Sequence, residues 1–444
     1  MSYKTYNAYK DSDVDWIGKI PSNWKILKAK HIFNRVNNKS ATGDEELLSV
    51  SEYYGVKPKK ETINDGEYLS RSESLVGYKK CSKNDLVMNI MLAWKKGLGI
   101  TDYDGIVSPA YEIFNINMDL VNPHYINHLL RTDLYSNEFK KHSYGIIDSR
   151  LRLYPENFKE IECILPPLKE QQHIAKYLDK QIVKIDKIIS KSYELIKLLE
   201  EKRVALINHI VTKGLNPNTQ MQDSGIEWIG EMPSNWELKK FRNVLKERSE
   251  KNNPIKSKER LSLSIDKGVT LYAEKTTNLD RFKDDFTQYK LAHKGDLVLN
   301  SMNMIVGAVG VSKYFGCVSP VYYTYYDETE DNTITNYCDY LFKTKTIKKY
   351  LRSLGRGIMS IDRGDDRINT CRLKVSRDDL RNMYIPFPPL NEQKEINNYL
   401  DEECEKITNV TSVINKHIEL LEEYKTSLIH HVVTGKIDVR EEVI

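Results

Sequence analysis

Asp11 to Ile26 read DSDVDWIGKIPSNWKI, and later in the chain Asp223 to Leu238 read DSGIEWIGEMPSNWEL. A second repeat is longer: Pro166 to Leu215, opening PPLKEQQHIAKYLD, returns as Pro388 to Ile437, opening PPLNEQKEINNYLD. A weaker pair lies between them. NDLVMNIM (Asn84 to Met91) answers GDLVLNSM (Gly295 to Met302), and GIVSPAY (Gly105 to Tyr111) answers GCVSPVY (Gly316 to Tyr322). A period above two hundred residues is too long for a solenoid unit and marks a duplicated domain.

The order along the 444 residues is therefore globular segment, long helix, polar linker, globular segment, long helix. Expected bounds are 1–165 for the first domain, 166–214 for the first helix, 215–387 for linker and second domain, and 388–444 for the second helix. The first domain mixes strand-like runs, Glu46 to Val50, Asp85 to Ile90 and Tyr111 to Ile116, with a helical stretch from Pro123 to Lys141. That predicts a mixed α/β domain in two copies.

The long helices carry an unbroken alternation of four and three. Leu178, Ile182, Ile185, Ile189, Ser192, Ile196, Leu199, Arg203, Leu206 and Ile210 form the first seam, and eight of the ten are apolar. The second seam is Leu400, Cys404, Ile407, Thr411, Ile414, Ile418, Leu421, Lys425, Leu428 and Val432. Such spacing specifies a coiled coil. Each helix opens after Pro-Pro with Glu170 or Glu392 near its positive end, and closes near Lys213-Gly214 or Thr434-Gly435. Two seams of equal length separated by a domain pair most simply with each other, antiparallel, with an approximate two-fold relation between the halves. The competing expectation is that each helix packs onto its own domain.

Charged residues make up 29% and the net charge is only +4, so the charge has to be located rather than summed. The six cysteines show no CxxC spacing and do not repeat between the halves, which argues against a zinc site or a disulfide framework. Neither an apolar leader nor a run of eighteen apolar residues is present, so a soluble cytoplasmic protein is expected.

No GxxxxGK[ST], GxGxxG, HExxH or GxSxG pattern occurs, and neither Pro-Pro pair follows Asn or Asp, as the base-positioning motif of DNA amino-methyltransferases would require. His124 and His128 stand at helical i, i+4 spacing without an acidic or cysteine partner at ligand spacing, and read as a surface pair rather than a metal site. Between Lys343 and Arg381, twelve Lys or Arg stand against five Asp. Such a patch suits phosphate.

Repeated WIGxxPxxW, GxVSPxY and PPLxEQxxI leading into a heptad helix together resemble the specificity subunit of a Type I DNA restriction-modification enzyme, over essentially the whole chain. The resemblance implies two target recognition domains, each reading half of a bipartite DNA site, spaced by an antiparallel helix pair. It implies two modification subunits carrying the methyltransferase and S-adenosylmethionine, and restriction subunits using ATP and Mg. This chain would hold no cofactor or metal and perform no catalysis. The alternative from another class is a free-standing two-domain regulator. Apolar residues outside the first seam, Ile174, Tyr177, Ile188, Leu195, Leu198 and Ile207, favour a scaffold with partners.

The repeat sorts residues by job. Trp16, Trp24, Trp228, Trp236, Glu170, Gln171, Glu392 and Gln393 recur in both halves and are expected to be structural or to dock subunits; Asp85, Leu86, Asn89 and Asp296, Leu297, Asn300 recur for the same reason. DNA-reading residues should lie where the copies differ. In the first half these are Tyr53, Tyr54, Lys57, Lys59, Lys60, Trp94, Lys95, Lys96, Tyr144, Arg150 and Arg152. In the second they are Lys267, Lys275, Asn303, Arg352, Arg356, Arg363, Arg367 and Arg372, with the extra residues around Arg363 and Arg367 as a base-reading loop.

Overall fold

The computed structural model describes residues 4–62, 74–274, 285–329, 331–358 and 372–442. The chain divides into two compact units, Met1–Ser192 with Asn415–Ile444, and Tyr193–Ile414. Its helices are α1 Pro123–Leu130, α2 Asp133–Lys141, α3 Pro155–Phe158, α4 Leu168–Lys213, α5 Thr333–Lys343, α6 Lys345–Leu354, α7 Arg377–Asn382 and α8 Leu390–Val433. Each unit thus contains one end of α4 and one end of α8. Among the described residues no helix is long and apolar enough to cross a membrane.

In the first unit a four-stranded antiparallel sheet runs Phe33–Val36, Tyr111–Ile116, Leu86–Asn89, Leu98–Ile100. The second unit repeats it with Lys246–Glu247, Tyr322–Tyr326, Leu297–Asn300 and Val309–Val311. Flanking two-stranded pairs also recur: Leu48–Ser51 with Gly55–Pro58 matches Leu261–Ser264 with Gly268–Leu271. The strand-like runs proposed at 46–50, 85–90 and 111–116 fall on these strands. The stretch from Pro123 to Lys141 is two helices rather than one, because Thr132 adopts an extended backbone and its side chain accepts from Tyr135 N to cap α2.

The repeated residues build the two interiors. Trp24, Phe33, Phe114, Tyr125, Phe139 and Phe158 pack with Ile174 and Leu178 of α4 and Leu428 and Val432 of α8. In the second unit Trp236, Phe241, Tyr325, Tyr337 and Phe342 pack with Ile210 and Val211 of α4 and Ile396 and Leu400 of α8. The Tyr125 hydroxyl lies 2.9 Å from the Ile164 carbonyl and 3.2 Å from that of Val433; Tyr337 lies 3.1 Å from both Pro386 and Val211 carbonyls.

Every proposed seam position on both helices is buried or half-buried. Within the first unit Lys425 of α8 meets Asp186 of α4 at 2.6 Å, while Val433 lies near the start of α4, so the two segments run antiparallel. Within the second unit Arg203 donates to the Cys404 carbonyl at 2.8 Å and to Thr408, while Gly214 approaches Glu392. Arg203 and Lys425 hold equivalent places in the repeat, so each seam cation is matched by a polar group across the coil. Helix ends also pack onto their units, so coil and domain packing are both present.

Candidate nucleic-acid interface

The shared residues are buried or half-buried. Glu170, at the first turn of α4, is buried, and its carboxylate accepts from Tyr6 Oη at 2.7 Å, Trp24 Nε1 at 3.0 Å and Asn23 Nδ2 at 3.1 Å. Burial and the adjoining Glu170 carboxylate push the Tyr6 phenol well above its ordinary value. Gln171 donates to the Leu120 and Pro166 carbonyls and accepts from Asn122 N, whose side chain caps α1. Trp16 meets Tyr135 edge-on at 5.1 Å. In the second unit Glu392 accepts only from Asn235 among the described residues, at 3.1 Å, and Gln393 donates to Pro388. Trp228 stacks on Tyr350 at 5.1 Å, and the buried Trp236 Nε1 meets no acceptor among the described residues. Asp85 takes bonds from Ser82 N and Asn115, and Asp296 takes a bidentate pair from Arg248 at 2.6 and 3.0 Å. Asn89 and Asn300 each accept from the amide two residues on.

The divergent residues are on the surface. Tyr53 is 85% exposed at the turn after strand Leu48–Ser51, with Tyr54 beside it and Lys57 Nζ 5.6 Å from the Tyr54 ring. Lys59 and Lys60 begin the following turn, where Lys60 pairs with Glu46 at 3.0 Å. Trp94 and Lys95 form a short 3-10 turn, and Lys96 ends it at φ 62°, a left-handed conformation. Lys95 and Lys140 ammonium groups stand 5.0 and 4.9 Å from the Trp94 ring, a cation–π pair from two elements. Lys96 pairs with Asp133 at 2.6 Å. Tyr144 and Arg152 exchange both backbone bonds at 3.0 Å, closing a loop that exposes Tyr144, Ile146 and Arg150. Lys140, bonded to Asp148 at 2.9 Å, joins that loop to Trp94.

Two segments distant in sequence, 93–96 and 144–152, are thereby linked through Lys140, and 51–60 lies in the same unit. A cleft of about 990 Å³ lies between the Tyr53–Tyr54 turn, α1 and the paired helices; Asp186, Glu419, Glu422 and Glu423 line it together with Lys96, Arg131 and Lys425, so it carries both signs of charge. In the second unit Lys267 lies in a turn, its amide donating to Ser264 Oγ, and Asn303 precedes the 3-10 turn Met304–Val306. Where the first unit has Trp94, Lys95 and Lys96, the second has Ile305, Val306 and Gly307. Arg352 and Arg356 are exposed. Arg372 begins strand Arg372–Lys374; Lys275, Arg363 and Arg367 lie outside the described residues.

Asp179 of α4 adds a partner to the histidine pair. Its carboxylate stands 3.3 Å from His124 Nδ1 and 2.8 Å from His128 Nε2, an acidic partner brought by folding rather than by spacing. Burial works to push the Asp179 carboxyl up, but hydrogen bonds from His124 and His128 hold it well below the usual carboxylate range. The Asp179 hydrogen bond raises His124 above its ordinary value. In the second unit Tyr340 and Asp401 make the corresponding link, at 2.5 Å. Among the described residues no group of three or more His, Cys, Asp or Glu could hold a metal ion. Cys81, Cys163, Cys317 and Cys338 are buried free thiols and Cys404 is half-buried; Cys371 lies outside the described residues.

Residues 21–198 and 233–420 match the family described as the Type I restriction modification DNA specificity domain. The chain belongs to that family. Among curated relatives, the type I restriction enzyme MjaVIII specificity subunit of Methanocaldococcus jannaschii is 23% identical over 95% of this chain and 95% of its own. Two solved structures share the fold. A chain of a type I R-M system, from work on its complex assembly and conformational transition, is 14% identical, covering 94% of this chain and 99% of that one with a TM-score of 0.66. The HsdS subunit from Thermoanaerobacter tengcongensis is 16% identical, covering 94% and 98%, with a TM-score of 0.55. The two matched spans coincide with the internal repeat, so this specificity subunit carries two DNA specificity domains.

Proposed function

We propose that this specificity subunit reads a bipartite, asymmetric DNA site, one half per domain, and performs no chemistry itself. The observation that carries this is the division between like interiors and unlike surfaces. Trp24 and Trp236 are both buried in their cores and Asn89 and Asn300 both accept from the amide two residues on, whereas Trp94-Lys95-Lys96 in one becomes Ile305-Val306-Gly307 in the other. Two copies of one scaffold with different loops are suited to two different half-sites. Arginine, lysine and asparagine in those loops have the donors and acceptors that base edges and phosphates accept.

The long helices are proposed to set the gap between the half-sites and to dock two modification subunits, which would carry S-adenosylmethionine and methylate the DNA. Restriction subunits using ATP and Mg would join that core. Val183, Ile188, Leu195 and Leu198 on α4, with Val410, Val413 and Leu420 on α8, are exposed outside the seam. Ile174 and Tyr177, by contrast, are buried in the subunit's own core, so only part of the apolar excess is available to partners. The exposed set favours a scaffold over a free-standing regulator, which would gain nothing from it.

Mapping methylated bases in DNA from cells co-expressing this chain with modification subunits tests the proposal. A two-part motif with a fixed gap is expected. A continuous or absent motif overturns it, as does methylation or cleavage by the purified chain alone.

A further inference from the structure

We infer that Arg131 is a positioning residue that clamps two of the DNA-facing segments of the first domain to each other; this rests on the reading of those segments as DNA-facing. Arg131 follows α1 and turns inward. Its Nη1 donates to the Leu98 carbonyl at 2.6 Å and the Lys96 carbonyl at 2.8 Å, and lies 3.4 Å from that of Ser51; Nη2 donates to the Glu52 carbonyl at 2.9 Å. The four carbonyls come from the two segments that carry Tyr53 and Tyr54 on one side and Trp94, Lys95 and Lys96 on the other.

A planar guanidinium presents five donors in a fixed fork, and here four backbone acceptors occupy it. Burial lowers its pKa to about 10, so it stays charged at neutral pH, and it is half-buried at the wall of the cleft beside α1. The fit depends on two glycines. A Cβ on Gly99 would lie 3.2 Å from the Gly55 Cα, and one on Gly55, whose φ is +77°, would lie 3.4 Å from Arg131 Nη1. One helical turn earlier, Asn127 Oδ1 accepts from Ile100 N at 3.0 Å, so α1 grips the second segment twice.

The second domain keeps the glycine contact and, among the described residues, lacks the clamp. A Cβ on Gly310 would lie 2.9 Å from the Gly268 Cα. Lys343, which like Arg131 directly precedes the capping threonine, pairs instead with Asp339 of its own helix at 2.7 Å. The arginine therefore belongs to one domain's loop arrangement and not to the shared scaffold.

The test uses the full chain, alone and with modification subunits. In the chain alone, Arg131→Ala is expected to speed amide exchange in 51–58 and 93–98 while leaving the second domain unchanged. In the assembled enzyme, Arg131→Ala and Arg131→Lys should lower base preference in the first half-site about tenfold with the second half-site intact. The salt dependence of DNA binding should not change. Millimolar guanidinium, compared with matched sodium, should restore the preference of Arg131→Ala. Gly99→Ala, which keeps the arginine and spreads the segments, should reproduce the loss. Unchanged exchange at both segments overturns the clamp. A fall of about one in the salt slope also overturns it, because that identifies a phosphate contact. A wild-type enzyme without a two-part motif refutes the functional reading, and the exchange result still judges the clamp.

Discussion

Trp24 and Glu170 are joined through a buried hydrogen bond, indole Nε1 to carboxylate Oε1 at 3.0 Å. The bond ties the start of the first domain to the start of α4, and Tyr6 and Asn23 donate to the same carboxylate. Glu170→Ala leaves three donors without their acceptor, and a loss of about 3 to 5 kcal/mol is expected. Glu392→Ala removes one described bond and should cost about 1 kcal/mol. Denaturant unfolding of the two variants checks the order; equal losses would show that the anchors are energetically alike.

The contact of Asp179 with His124 is expected to make the attachment of α1 to α4 sensitive to pH. His124 has a raised value, so its contribution is complete below about pH 6.5 and is lost as pH rises through the folded value. Asp179 has a depressed value, so its contribution is present above about pH 4 and is lost as pH falls through the folded value. Asp102 and Lys83 also act on His124, in opposite directions. Thermal melts from pH 6 to 8 should show that the stability difference between the wild type and the double variant His124→Asn, His128→Asn shrinks as pH rises.

Trp94 with its two lysines is the densest aromatic and basic contact of the first domain. Trp94→Ala should weaken DNA binding by about 1 to 3 kcal/mol, with the loss confined to sequences carrying the first half-site. Fluorescence anisotropy with duplexes altered in either half measures it, and an equal loss on both halves would contradict the assignment.

Arg363→Ala or Arg367→Ala should relax the second half-site alone, because these residues belong to an insertion that the first copy lacks. Methylated-motif mapping decides this, and a change in the first half of the motif would count against it.

Four residues inserted in register into both α4 and α8 add about 6 Å of helix, which should lengthen the unspecified gap by about one or two base pairs. An active enzyme with an unaltered gap would remove the spacer role.

The seam of alternating four and three marked two long helices in the sequence; they run Leu168–Lys213 and Leu390–Val433, the second stopping short of the expected bound at 444. The split into α1 and α2 was hidden. Thr132 is an ordinary residue in a helical stretch until its hydroxyl is seen to cap the second helix. Asp179 as the partner of His124 and His128 was hidden for a different reason, since no local spacing links 124 or 128 to 179. The clamp by Arg131 was the least visible, because backbone carbonyls have no identity in a sequence. The comparison of halves separated interior from surface only in part, since Trp16, Trp228, Asn300 and Glu392 recur yet are half-buried, as Trp94 and Lys96 are. Trp24, Trp236, Asp85 and Asp296 are interior, and Tyr53, Tyr144 and Arg150 are exposed.

The second unit is continuous in sequence, Tyr193–Ile414, whereas the first needs Asn415–Ile444 to be whole. Gly435 seats against Pro21 and Trp24, and Ile437 and Val439 are buried beside them. During synthesis the ribosome therefore delivers the first unit with its core uncovered and closes it only after α8 has emerged. The domain translated first is the one completed last.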